Sequence, residues 1–145
     1  MTLEQVAERF KVPGQLVTIG PTGSGNVNDT HLAIFRTPFS ESRVIIQRIN
    51  TKVFRHPTWI MTNLRILTEH VHRRIALESG HADRVWQIPR LIPCKDGRDY
   101  HRDRTGGYWR ALTLIASASS FERVQGTTHA LEAGTVLGQF HRLVC

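Results

Sequence analysis

Apolar positions along this chain recur with two different periods. Leu3 to Phe10 reads as a short amphipathic helix, with Thr2 placed to cap it and Gln5 at the capping-box spacing. Pro13-Gly14 then breaks the chain, and the period changes. Gln15–Ile19, Thr30–Arg36 and Arg43–Asn50 read as three strands, the last rich in Val and Ile, with Thr37-Pro38-Phe39-Ser40 as a turn between the second and third. Connections this short imply antiparallel pairing, because parallel crossovers need many more residues.

From about Pro57 to Ser79 the helical period returns. Ile60, Leu64, Leu67, Val71 and Ile75 fall at spacings of three and four, Pro57 suits a first turn, and Gly80 suits a stop. Val85–Ile92 and Tyr108–Ile115 are further strand candidates, with Lys95-Asp96-Gly97-Arg98-Asp99 between them as an expected hairpin loop. Ser117–Ser120 reads as a linker. A last helix, about His129 to Val144, would turn Leu131, Val136, Leu137, Phe140 and Val144 inward, and it meets the chain end without a stop signal. The pattern predicts an α+β fold: a five-stranded antiparallel sheet with one long crossing helix.

Composition narrows the function classes. The 145 residues are 40% hydrophobic and 21% charged, an ordinary globular balance. No window approaches the roughly 18 apolar residues of a membrane helix, and the N-terminus has no secretory pattern, so no membrane partner is expected. Cys94 and Cys145 form no metal or redox spacing, which makes a reducing, cytoplasmic setting the default. The net charge of +7 is spread over Arg43–Arg55, Arg65–Arg74 and Arg84–Arg104, so a nucleic-acid partner is disfavoured against a phosphate-handling cleft. The alternative is a non-enzymatic basic module that binds nucleic acid or an acidic protein.

The informative stretch is Gly23-Ser24-Gly25-Asn26-Val27-Asn28-Asp29-Thr30, between two strands. Glycines there let backbone amides approach phosphates. A Rossmann site would need a helix next, and a Walker loop would need Gly-Lys-Ser/Thr; neither is present. A glycine-bearing hairpin over a nucleotide is the kinase arrangement. Together with Ile45-Ile46-Gln47-Arg48-Ile49-Asn50, Val53-Phe54, Asn63, Thr68-Glu69-His70, Trp109-Arg110, Ser120-Phe121-Glu122, Ala133-Gly134 and Gly138-Gln139-Phe140-His141-Arg142-Leu143, the chain resembles the aminoglycoside phosphotransferase and choline kinase superfamily. Within it the likeness is closest to the N-acetylhexosamine 1-kinase group.

That resemblance implies a protein-kinase-like N-terminal lobe over residues 1–116, and over 117–145 a linker and the start of a helical C-terminal lobe. It implies ATP and Mg²⁺ as cofactors and a sugar or similar hydroxyl as acceptor in a longer form. Gly23, Ser24, Gly25, Asn26 and Asn28 would lie over the phosphates. Arg48 would hold the α/β-phosphates, unless Gln47 on the opposite strand face points into the cleft instead. Glu69 would orient the basic residue, although it lies opposite the apolar stripe of its helix and can equally be a solvated charge. Ile115 and Ser117 would border the adenine, and Ala116 departs from the acidic residue frequent there.

No catalytic His-x-Asp loop with a second metal-binding aspartate is assigned, so turnover by this chain alone is not expected. His141-Arg142-Leu143 falls on an amphipathic helix and reads as an ordinary helix end. His70 and His72 point about 200° apart on a helix and cannot share a metal. A serine nucleophile lacks its Gly-x-Ser-x-Gly turn. The length fits a kinase fragment, a degenerate gene product or a binding module that kept one lobe. An uncovered inter-lobe face would favour self-association.

Overall fold

A computed structural model describes residues 1–23, 27–78, 86–116, 118–119 and 121–145. Among them are three helices and a six-stranded antiparallel sheet: α1 Leu3–Ala7, β1 Gln15–Pro21, β2 Asp29–Arg36, β3 Glu41–Ile49, α2 Pro57–Glu78, β4 Leu91–Ile92, β5 His101–Arg102, β6 Tyr108–Thr113 and α3 Thr127–Val144. The strand order is β1-β2-β3-β6, with β4 and β5 pairing successive parts of β6. None of the helices is long and apolar enough to cross a membrane. The chain divides into two compact units, Met1–Arg65 with Pro89–Leu114, and Ile66–Ile88 with Ile115–Cys145.

In the first unit α1 starts as its sequence dictates. The Gln5 amide donates to Thr2 Oγ1 at 3.4 Å and the Thr2 amide to Gln5 Oε1 at 3.0 Å, so two orphan donors are satisfied at once. The helix stops at Ala7 and not at Phe10 as the pattern suggested, because the next residues pair with an edge segment. Lys11 N donates to Pro93 O at 2.8 Å and Lys95 N to Arg9 O at 2.8 Å, around a bridge between Phe10 and Cys94. Gly14 (φ +94°) lets the chain turn into β1; a Cβ there would sit 2.4 Å from the Arg36 carbonyl oxygen.

Alternation sorts β3 cleanly. Val44 and Ile46 pack with Ala33, Phe35, Trp109 and Ala111 under Val6 and Ala7 of α1 and Phe10 just after it, and form the core. Burying a side chain such as Phe10 stabilises by roughly 2–3 kcal/mol. Gln47 lies on the opposite face. The Thr37–Ser40 turn forms as expected, with Thr37 N donating to Ser40 O at 2.8 Å and Ser40 N to Thr37 Oγ1 at 2.9 Å.

Two expectations about the far edge are corrected. The strand predicted over 85–92 keeps only Leu91–Ile92; residues 86–90 are not strand, and Val85 lies outside the described residues. The Lys95–Asp99 segment does not turn the chain into β6. It leaves the edge as a small turn closed by Cys94 N donating to Arg98 O at 2.7 Å, after which the edge resumes as β5. The reversal into β6 comes at Asp103–Gly107. The sheet therefore has six strands where five were expected, because one edge strand is interrupted by its own excursion.

In α2 the buried positions are Pro57, Met61, Thr68 and Val71, while Ile60, Leu64, Leu67 and Ile75 are half-buried. The inward line is thus rotated by about one residue from the predicted stripe. In the second unit, His70 Nε2–H donates to the Leu143 carbonyl at 3.0 Å and Arg74 to the Arg142 carbonyl at 3.3 Å, so residues one turn apart cap the end of α3. Leu143 is the buried residue of α3. Leu131, Val136 and Leu137, expected to face inward, are exposed, at 69%, 44% and 56%. The apolar row is present, but α2 meets α3 at the latter's C-terminal end.

Candidate functional site at the loop end of the sheet

The β1–β2 connection, the end of β3 and the β5–β6 turn converge at one end of the sheet. Cα pairing aligns Asp29 with Arg48 and Arg48 with Trp109, which brings three strands into one row. Asn28 ties this end together: its Oδ1 accepts from Asn50 N at 3.0 Å, joining the base of the glycine-bearing loop to the exit of β3. Its carbonyl also accepts from Thr30 Oγ1 at 3.3 Å. A cavity of about 380 Å³ opens here, lined by Val27, Asp29, Arg48, Asn50, Lys52 and the Thr105–Gly107 turn.

Two cations and one carboxylate line that cavity, so it favours an anion. The Arg48 guanidinium lies over the Trp109 ring, 5.8 Å from its centroid, a cation–π contact that restrains a long side chain. Gly107 leaves room for it. A Cβ on Gly107 would come within 2.5 Å of Asp103 Oδ2 and 3.0 Å of Arg48 Nε. Gly106 takes φ +85°, which the tight turn requires.

The turn is organised by Asp103. Its Oδ1 accepts from Thr105 N at 2.8 Å, Thr105 Oγ1 at 2.7 Å and Gly107 N at 2.8 Å, and its Oδ2 accepts from Trp109 Nε1 at 2.8 Å. Burial alone would raise the pKa of this carboxyl. The bonds from Trp109, Thr105 and Gly107 outweigh that and hold it well below the usual carboxylate range.

His101-Arg102-Asp103 is a His-x-Asp triplet that the sequence reading passed over, as is His81-Ala82-Asp83, which lies outside the described residues. Fold position decides what the first one is. It runs along β5 into a hairpin turn, and its aspartate already accepts four hydrogen bonds. Such a carboxylate is a turn organiser and a poor general base.

On the opposite face, Gln47 Nε2 donates to Thr30 Oγ1 at 3.0 Å, and Arg110 Nε donates to Gln47 Oε1 at 3.0 Å. Burial lowers the pKa of Arg110, yet a guanidinium stays charged in a protein. Gln47 therefore serves as the relay between a β2 hydroxyl and a half-buried cation, whereas Arg48 serves the loop-end cavity. Arg110 and Lys52 are the two cations that the residue-by-residue reading did not single out. Alternation of Tyr108, Arg110 and Leu112 was the available signal for the first.

The remaining predicted site residues divide between the two units and the positions that are not described. Gly23 has φ +77°, and Asn28 is part-buried at the loop base. Ser24, Gly25, Asn26 and Ser117 lie outside the described residues. Ile115 is half-buried just after β6 and belongs with the second unit, as does the exposed Glu69 of α2. No family model matches the chain.

Proposed function

We propose that the chain is the ATP-binding front portion of a small-molecule kinase, whose acceptor is a sugar or a similar hydroxyl compound. The observation that carries this reading is the coupling of the Gly23–Asn28 loop to the basic end of β3. The Asn28–Asn50 bond holds the loop base beside a cavity lined by Arg48 and Lys52. A phosphate chain is the ligand such a place suits: glycines allow close approach of backbone amides, and two cations offset the charge. The helical crossover from β3 back to the antiparallel edge supports the same reading.

The residues present fit phosphates better than they fit a bare metal. Asp29 is the carboxylate in the cavity, and Asp103 is committed to its turn. Mg²⁺ would enter bound to the nucleotide's phosphates, which would supply most of its oxygen ligands. Binding without turnover is the activity proposed for these 145 residues. The exposed row Leu131, Val136 and Leu137 supports self-association as a property of the isolated chain.

The test is a thermal-shift and calorimetric titration with Mg·ATP, against GTP and a short DNA duplex. A ligand at 100 times its Kd stabilises by about 2.7 kcal/mol, which is easily read. Selective stabilisation by ATP, lost in Arg48→Ala and Gly25→Val, is the expected result. DNA binding that fades with salt, with no response to ATP, would replace this reading with a basic binding module.

A further inference from the structure

A second cavity lies in the first unit, between α1 and the segment 94–104. It encloses about 740 Å³ and shares no lining residue with the loop-end cavity. That volume is in the range of small-molecule sites. Its wall carries the basic side chains of Arg9, Lys95, Arg98, Arg102 and Arg104 against two acidic ones, Glu8 and Asp96. Asp96 is taken by Arg98, which donates to it through Nη2 at 2.6 Å and Nε at 3.0 Å. Among the described residues, Arg9, Lys95, Arg102 and Arg104 enter no ion pair.

Folding alone gives no reason to gather four cations that enter no ion pair around one concavity, since like charges repel. The backbone there is nevertheless firmly held. Lys95 N donates to Arg9 O, and Lys11 N to Pro93 O, which fixes the α1 end to the excursion loop. Arg102 is restrained by lying over Tyr108, 5.4 Å from the ring centroid. His101 also lines the cavity, and its Nε2 is out of contact with water and without a hydrogen-bond partner.

We infer that this cavity is a binding site for a small oligophosphate, a compound presenting two or more linked phosphate groups and no base. Guanidinium forks match phosphate oxygens in pairs, and several of them around one pocket suit a ligand with several negative charges. No Phe, Tyr or Trp lines the cavity, and the His101 ring in its wall is half-buried, so the wall favours linked phosphates over a stacked base. The site is independent of the nucleotide reading above.

The experiment is calorimetric titration of the full chain with inorganic tripolyphosphate at low salt, with citrate and a single-stranded oligonucleotide as comparisons. Arg9→Gln and Arg104→Gln each replace an exposed side chain, and each is expected to weaken tripolyphosphate binding by roughly tenfold. Arg123→Gln, at an exposed cation of the second unit that lines neither cavity, is expected to leave it unchanged. A second readout does not depend on variants. Burial, and then Arg9, hold the His101 pKa below its ordinary value, with Asp103, Arg98 and Asp96 also nearby. A bound oligophosphate adds negative charge, so the His101 ring signals should titrate at higher pH when tripolyphosphate is present. No binding in the wild-type chain would overturn the inference. So would binding unaffected by both substitutions, an unmoved His101 titration, or an oligonucleotide that binds more tightly than tripolyphosphate and is lost in the same variants.

Discussion

Replacing Asp103 by alanine tests whether one carboxylate organises the whole loop end of the sheet. The substitution leaves four donor groups without their acceptor: Thr105 N and Oγ1, Gly107 N and Trp109 Nε1. These donors differ in what they lose. Thr105 is exposed, and water can take over there, so its bonds contribute at most a few tenths to about 1 kcal/mol. Trp109 is only 9% exposed, and its indole N–H faces the desolvation cost of an unmet donor, about 1–3 kcal/mol. The total is about 2–4 kcal/mol at neutral pH, large enough to lower Tm by roughly 5–10 °C in a chain of this size. Urea denaturation with an unchanged m-value is the assay.

The pH dependence has a definite sign. The folded pKa of Asp103 is depressed, so its contribution is present above the unfolded value of about 3.9 and is lost as pH falls toward the folded one. The gap between wild type and Asp103→Ala should therefore narrow below about pH 4. A loss under about 0.5 kcal/mol at pH 7, the ordinary range for surface changes, would refute the reasoning. So would a gap that stays constant from neutral pH into the acid range.

The other predictions follow from the same geometry. Gly107→Ala should destabilise by about 2–3 kcal/mol, because its Cβ would meet Asp103 Oδ2 at 2.5 Å, and it should also weaken any ATP response by displacing Arg48. Gly14→Ala combines a positive φ with a Cβ 2.4 Å from a carbonyl oxygen, so a loss of about 3 kcal/mol or more by urea denaturation is expected. Thr2→Ala removes the α1 cap and should cost about 1 kcal/mol, with Gln5→Ala smaller and not additive with it. In thiol titration at pH 8, exposed Cys145 should react quickly. Cys94 should react only on unfolding, because burial, followed by the nearby Asp96, raises its pKa to about 11.

Local rules carried the parts of this protein that depend on near neighbours. The capping box at Thr2 and Gln5, the turn at Thr37–Ser40, the three leading strands and the span of α2 are all set by residues within a few positions of one another. The opposite faces of Gln47 and Arg48 follow from the pleat alone. What those two side chains meet does not. Whether a strand face carries the core depends on where α1 lands, and α1 lands on the Val44–Ile46 face because Phe10 pairs with Cys94, which is 84 positions away in sequence.

Distant pairing also decided the edge. A polar stretch such as Lys95–Asp99 looks like any hairpin loop in sequence, and only the pairing of its base to the Arg9–Lys11 segment after α1 makes it an excursion from a single strand. The same logic governs His101-Arg102-Asp103, whose composition suggests catalysis and whose position makes it strand β5 and the first residue of its turn. The inward line of α2 and the exposed row of α3 were misread for one reason: amphipathicity marks a face to be covered, while the partner that covers it is chosen by tertiary packing.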